Sequence, residues 1–155
     1  MKVFADANFF TNWLSRLPFT EQAEHLMDRL RQAGSRPISV TRLVRQELLN
    51  ALHRFVFESR NAPQDFVLSH SAALAAEAYF ESRLDEREVF QAVEPATDML
   101  DRRYFDLVHR HTATHGFRTN DVLHVASALV LGCDTFWSFD AKAKKLAKLE
   151  GLKVN

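Results

Sequence analysis

An acid placed directly after a short, wholly apolar run constrains this chain more than any other feature. Val3, Phe4 and Ala5 show no polar alternation, the pattern of a strand covered on both faces of a parallel sheet, and Asp6 follows at once. Asn8 and the Phe9-Phe10 pair then open a helix that runs to about residue 16, ahead of Pro18, which cannot continue the hydrogen-bond ladder. Such a junction sets Asp6 on the edge where open α/β sheets take their ligands. The arrangement returns near the other end of the chain. Thr135-Phe-Trp-Ser-Phe139 reads as a strand, Asp140 ends it, and a helix over 141–149 follows, closed by Gly151. Residues 152–154 supply a further short strand.

Between these two junctions the pattern alternates helix and strand. A helix with Thr20 as N-cap and Leu26, Met27 and Leu30 as its apolar stripe ends at Gly34, and residues 37–40 read as the second strand. Thr41 starts a helix that runs to about residue 60. At about 100° per residue Leu43, Val44, Leu48, Ala51, Leu52 and Phe55 share one face of it, and Glu47 falls inside that arc. A carboxylate in a buried stripe needs a partner; the other reading is a Glu at the margin of the stripe that reaches solvent or Arg54. The spacing predicts another helix over 64–83 with Phe66, Val67, Ala73, Leu74, Ala78 and Tyr79 turned inward, preceded by a hinge at 61–64 around Pro63. Residues 89–93 form the third strand. A helix capped by Thr97 then buries Leu100, Tyr104, Leu107 and Val108 and ends near Gly116.

Arg118-Thr-Asn-Asp-Val-Leu-His-Val-Ala-Ser-Ala-Leu-Val-Leu-Gly132 is the most distinctive segment. From Val122 to Leu131 it is apolar nearly all round, as befits a central helix packed on more than one side. Asp121 stands in its first turn, where an acid complements the helix dipole by up to about 1 kcal/mol. His124, three residues on, reads as a satisfied polar group at the rim.

At 155 residues the chain reads as one domain over 1–155, and its 46% hydrophobic content with only 4 Gly and 4 Pro describes a compact, helix-rich fold with the 13 Phe in its core. The single Cys133 excludes an internal disulfide and fits a reducing compartment. With neither a signal-peptide pattern nor an apolar run long enough for a bilayer, the expectation is a soluble, cytoplasmic protein without membrane contact. Lys+Arg and Asp+Glu balance at 20 each, so net charge offers nucleic acid no long-range attraction and phosphate binding has to be local. Arg102, Arg103, Arg110 and Arg118 with His109, His111 and His115, and the Lys142, Lys144, Lys145, Lys148 cluster, read as solvated helix faces. His111 and His115 lie four apart but have no third ligand at matching spacing, so they are expected to be exposed.

Each acid has a structural use by itself; their conjunction is harder to explain that way. Strands one and four deliver Asp6 and Asp140 to one sheet edge, and a helix N-terminus aimed at that edge delivers Asp121. With Glu47, four carboxylates converge, repel and titrate as a coupled group unless a cation neutralises them. Oxygen donors favour Mg²⁺ or Mn²⁺ over zinc.

The order Asp6, Glu47, Asp121, Asp140, with Asn8 beside the first acid, resembles the PIN-domain nucleases, and among them the toxin ribonucleases of the VapC type. Asp-Val-Leu-His-Val-Ala-Ser-Ala over 121–128, Ser-Phe-Asp over 138–140 and the closing Lys-Leu-Ala and Gly-Leu-Lys-Val carry the resemblance, which spans essentially the whole chain. Residues 61–88 are less characteristic, and Ser138 stands where many relatives have threonine. The resemblance implies a three-layer α/β/α sandwich around a central parallel five-stranded sheet of order 3-2-1-4-5. It also implies a Mg²⁺-dependent endoribonuclease, with Mn²⁺ able to substitute, that hydrolyses RNA by metal-activated water and leaves 5′-phosphate and 3′-hydroxyl ends. Asp6, Glu47, Asp121 and Asp140 would hold the metal and carry catalysis, with Asn8 and Ser138 as supporting hydrogen-bonders and Arg118 or Arg42 near the RNA backbone. The same resemblance implies a toxin with a protein antitoxin as partner, and a homodimer. Two rivals remain at this point. One is a catalytically silent PIN-like module that binds RNA or protein. The other, a phosphohydrolase of the haloacid-dehalogenase type, expects an Asp two residues after the first, and Asn8 occupies that place.

Overall fold

The computed structural model describes residues 1–15, 17–61 and 67–155. Five short strands, β1 (Val3–Ala5), β2 (Ile38–Val40), β3 (Phe90–Ala92), β4 (Thr135–Trp137) and β5 (Lys153–Val154), form one parallel sheet in the order β3-β2-β1-β4-β5. Helices alternate with them: α1 (Ala7–Leu14), α2 (Thr20–Gln32), α3 (Arg42–Asn61), α4 (His70–Glu86), α5 (Thr97–Leu107), a π-helical turn (Val108–Thr112), α6 (Ala113–His115), α7 (Thr119–Val130) and α8 (Ala141–Leu149). Successive crossovers step from β1 outward to β3, and then from β4 outward to β5. Because such crossovers are right-handed, that reversal puts α1–α4 on one face and α5–α8 on the other. The result is the expected three-layer sandwich, and its switch point lies between β1 and β4.

The two central strands anchor the sheet edge that carries Asp6 and Asp140. Val3, Phe4 and Ala5 pair with Thr135, Phe136 and Trp137, and every one of these residues is buried. Phe4 stacks on Phe136 with ring centroids 5.8 Å apart, and Phe10 packs edge-on to Phe80 and Phe90. Aromatic pairs in these geometries hold the layers together beyond their area alone. Among the described residues no helix is long and apolar enough to cross a membrane.

Several local expectations need correction. The inward face of α4 is Ala73, Phe80 and Leu84, whereas Val67, Leu74, Ala78 and Tyr79 are exposed. Apolar and polar side chains are mixed around this helix, so its own period marks no strong face; contact with α3 and β3 chose one. Phe66 and most of the proposed hinge at 61–64 lie outside the described residues. Thr20 and Thr97 are first helical residues rather than caps. Phe19 and Ala96 take the cap positions without a side-chain bond, and the Thr20 hydroxyl donates to the Asn12 carbonyl at 2.6 Å. Not every Phe is core, since Phe19, Phe57 and Phe105 are exposed.

Candidate active site

Asp6 and Asp140 leave β1 and β4 at the same sheet edge and cap the helices that follow. Asp6 accepts from the Phe9 N–H at 2.9 Å, and Asp140 accepts from Lys142 and Ala143 at 2.7 and 3.1 Å. Both therefore satisfy amides that a helix start leaves free. Ser138, wholly buried, lies between the two: its hydroxyl accepts the Asp140 N–H at 2.9 Å and favours the charged form of Asp6. Asn8 Oδ1 accepts the Phe139 N–H at 3.0 Å, which fixes the turn between β4 and Asp140 onto α1.

Asp121 comes to this edge from the first turn of α7. Its carboxylate accepts the Arg118 backbone N–H at 3.2 Å and, through both oxygens, the Arg118 guanidinium at 3.1 and 3.2 Å. The same guanidinium reaches Asp140 at 2.7 Å.

Glu47 approaches from α3. Asn120 Nδ2 donates to one of its carboxylate oxygens and His124 Nε2 to the other. Glu47 thus has partners in the fold; Arg54, the alternative, pairs with Glu58 at 3.2 Å. His124 is not at the rim. It is 4% exposed, lies against the Phe4 ring, and its Nδ1 has no hydrogen-bond partner. Sequence reasoning assigned no role to Asn120 and underrated His124. The available signal was their spacing: both lie within one turn of Asp121 on the face that meets Glu47, but only with α3 in place does that face become legible.

The environments differ sharply. Burial pushes the Asp6 carboxyl up to about 6, against the opposing pull of His124, Ser138 and the Phe9 amide, with the Asp140 charge adding to the rise. Glu47 and Asp140 are held below their ordinary values although burial pushes each upward. Hydrogen bonds from His124 and Asn120 outweigh it at Glu47, and the Ala143 and Lys142 amides together with Arg118 do so at Asp140. All four carboxylates line a single open cleft of about 570 Å³, with Asn8, Arg118, Asn120 and His124 in its wall. Arg42, the other basic candidate, does not line it; its backbone N–H is taken by Glu94.

The sequence profile of the PIN domain matches residues 3–149. The chain belongs to the PIN domain family. No curated protein matches it significantly in sequence. In fold this PIN domain is similar to Mycobacterium tuberculosis VapC20, a Sarcin-Ricin loop cleaving toxin, at 16% identity over 93% of this chain and 94% of that one, with a TM-score of 0.64. It is similar also to VapBC2 from Rickettsia felis, solved bound to a DNA fragment from their promoter, at 13% identity over 100% and 98% of the two chains and a TM-score of 0.66. A protein of Pyrobaculum aerophilum gives 17% identity over 99% and 90%, with a TM-score of 0.56.

PIN domains generally use divalent metal ions. The donor set here fits one, because its four acids are hard oxygen donors lining one cleft and Asp6 among them is buried. Among the described residues no three Asp, Glu, His or Cys side chains are gathered closely enough to cage an ion as they stand. The Arg118 guanidinium lies across two of the acids instead. The histidine pair elsewhere takes another course: His111 is largely buried and bonds Glu150 at 2.6 Å beside Arg110, within a network that pins the π-helical turn to the end of α8.

Proposed function

We propose that this PIN domain is a Mg²⁺-dependent endoribonuclease that works as the toxin of a toxin–antitoxin pair. One observation carries the reading: Asp6, Glu47, Asp121 and Asp140, drawn from four separate segments, line one open cleft at the switch point of a parallel sheet. These four would hold the cation, with Mn²⁺ able to take its place. When bound, it polarises the scissile phosphoryl group and makes water a competent nucleophile at neutral pH.

The remaining groups position the acids. His124 and Asn120 fix both oxygens of Glu47, Ser138 couples Asp6 to the Asp140 turn, and Asn8 locks that turn onto α1. With water as nucleophile and the 3′ oxygen as leaving group, the P–O3′ bond breaks and the products carry 5′-phosphate and 3′-hydroxyl ends; 2′,3′-cyclic phosphates would exclude the mechanism. The balance of 20 basic and 20 acidic residues leaves RNA affinity to local contacts. Exposed Phe57, Leu74 and Tyr79 on α3 and α4 offer apolar surface that suits an antitoxin.

The test is cleavage of end-labelled total RNA in Mg²⁺ or Mn²⁺, beside an EDTA control and the Asp6→Asn protein. Discrete cuts lost in both controls are expected. Absence of both cleavage and divalent binding by calorimetry would leave a silent binding module. Light scattering tests the expected homodimer.

A further inference from the structure

Arg118 holds a position that needs explaining. Its guanidinium donates from Nε and Nη2 to the two oxygens of Asp121, at 3.1 and 3.2 Å, and from Nη2 to Asp140 at 2.7 Å. One positive charge thereby sits between two of the four acids of the cleft. A lone guanidinium leaves such a pair of carboxylates under-neutralised, and a divalent cation would neutralise it fully.

The side chain is also built to leave. It is 65% exposed, and exposed ion pairs hold weakly. Its backbone is anchored independently of the carboxylates, since the Arg118 carbonyl accepts the Val122 N–H at 3.1 Å. The guanidinium can therefore swing away without unwinding the start of α7. Once freed, it stays at the wall of the cleft, and the planar fork that matches carboxylate oxygens matches phosphate oxygens equally well.

We propose that Arg118 is a substrate-phosphate ligand, parked across Asp121 and Asp140 in the metal-free protein and handed to the RNA backbone when a divalent cation claims those carboxylates. The inference rests on the metal-dependent nuclease reading above. It couples two events: the cation that equips the site for hydrolysis also releases the arm that holds the substrate, so metal-free protein is short of a phosphate contact.

Mn²⁺ titration of the wild-type protein, Arg118→Gln and Arg118→Lys by calorimetry tests the parking. Lysine keeps the charge but cannot span both acids with a planar fork. Arg118→Gln should bind Mn²⁺ about fivefold more tightly than wild type, the factor set by a competing exposed ion pair of about 1 kcal/mol, and Arg118→Lys should fall between the two. In saturating Mg²⁺ the KM of Arg118→Gln for a single-stranded RNA oligonucleotide should rise about tenfold through loss of one charge-assisted phosphate contact. Equal Mn²⁺ affinity in wild type and Arg118→Gln would overturn the parking and leave the metal site standing. An unchanged KM would overturn the handover to substrate. If none of the three proteins binds Mn²⁺, the metal-dependent reading itself falls and takes this proposal with it.

Discussion

Asp6 and Asp140 each follow a strand at the centre of the sheet, and each caps the helix that comes next, yet the fold treats them as opposites. Asp6 is 4% exposed, finds only one backbone amide, and is pushed up to about 6 by burial. Asp140 accepts from two amides and the Arg118 guanidinium and is held below its ordinary value. One local motif therefore yields a carboxylate reluctant to ionise and another that ionises readily. Burial outweighs the pull of His124 at the first, whereas amides and a guanidinium outweigh burial at the second, so a cation held in the cleft would gain most at Asp6 and would compete with Arg118 at Asp140.

The largest expected effect erases the contrast. Asp6→Asn and Asp140→Asn should each lower RNA cleavage by about 100-fold or more, above the loss typical of groups that merely support a metal ligand, with circular dichroism unchanged. Equal residual activity in either variant would remove that acid from the site. Next, His124→Phe keeps a ring against Phe4 but takes the donor from Glu47, so cleavage and Mn²⁺ affinity should both fall by about 10–100-fold.

Metal-free stability then separates the two acids by sign. The Asp6 carboxyl is raised, so folding takes up a proton between about pH 4 and 6 and stability falls as pH climbs through that window. In EDTA at pH 7, Asp6→Asn should be more stable than wild type by about 2 kcal/mol, with the difference fading by pH 4, because Asn still caps α1. The Asp140 carboxyl is lowered, so its contribution is present above the ordinary carboxylate value and is lost as pH falls through the depressed one. Asp140→Asn should therefore destabilise at pH 7, by about 1 kcal/mol. Urea unfolding at the two pH values measures both. The smallest effect is expected for Ser138→Ala, which drops the hydroxyl that accepts the Asp140 N–H: about 0.5 kcal/mol of stability, read from the same curves.

The sequence by itself determined the sheet and its edge acids. Val3–Ala5 and Thr135–Trp137 are buried on both faces, and a strand of that kind has only one environment available, so its pattern can be read locally. The acids at 6 and 140 were legible for a related reason, because a strand end and a helix start fix their position within a few residues. Tertiary structure alone decided the rest. Glu47 meets His124 across 77 positions, Arg118 meets Asp140 across 22, and α4 took its buried face from α3 and β3 rather than from its own period. Charge state followed the same division. Burial and the amides, guanidinium and imidazole that surround a carboxylate set its proton affinity, and those neighbours exist only once distant segments have packed.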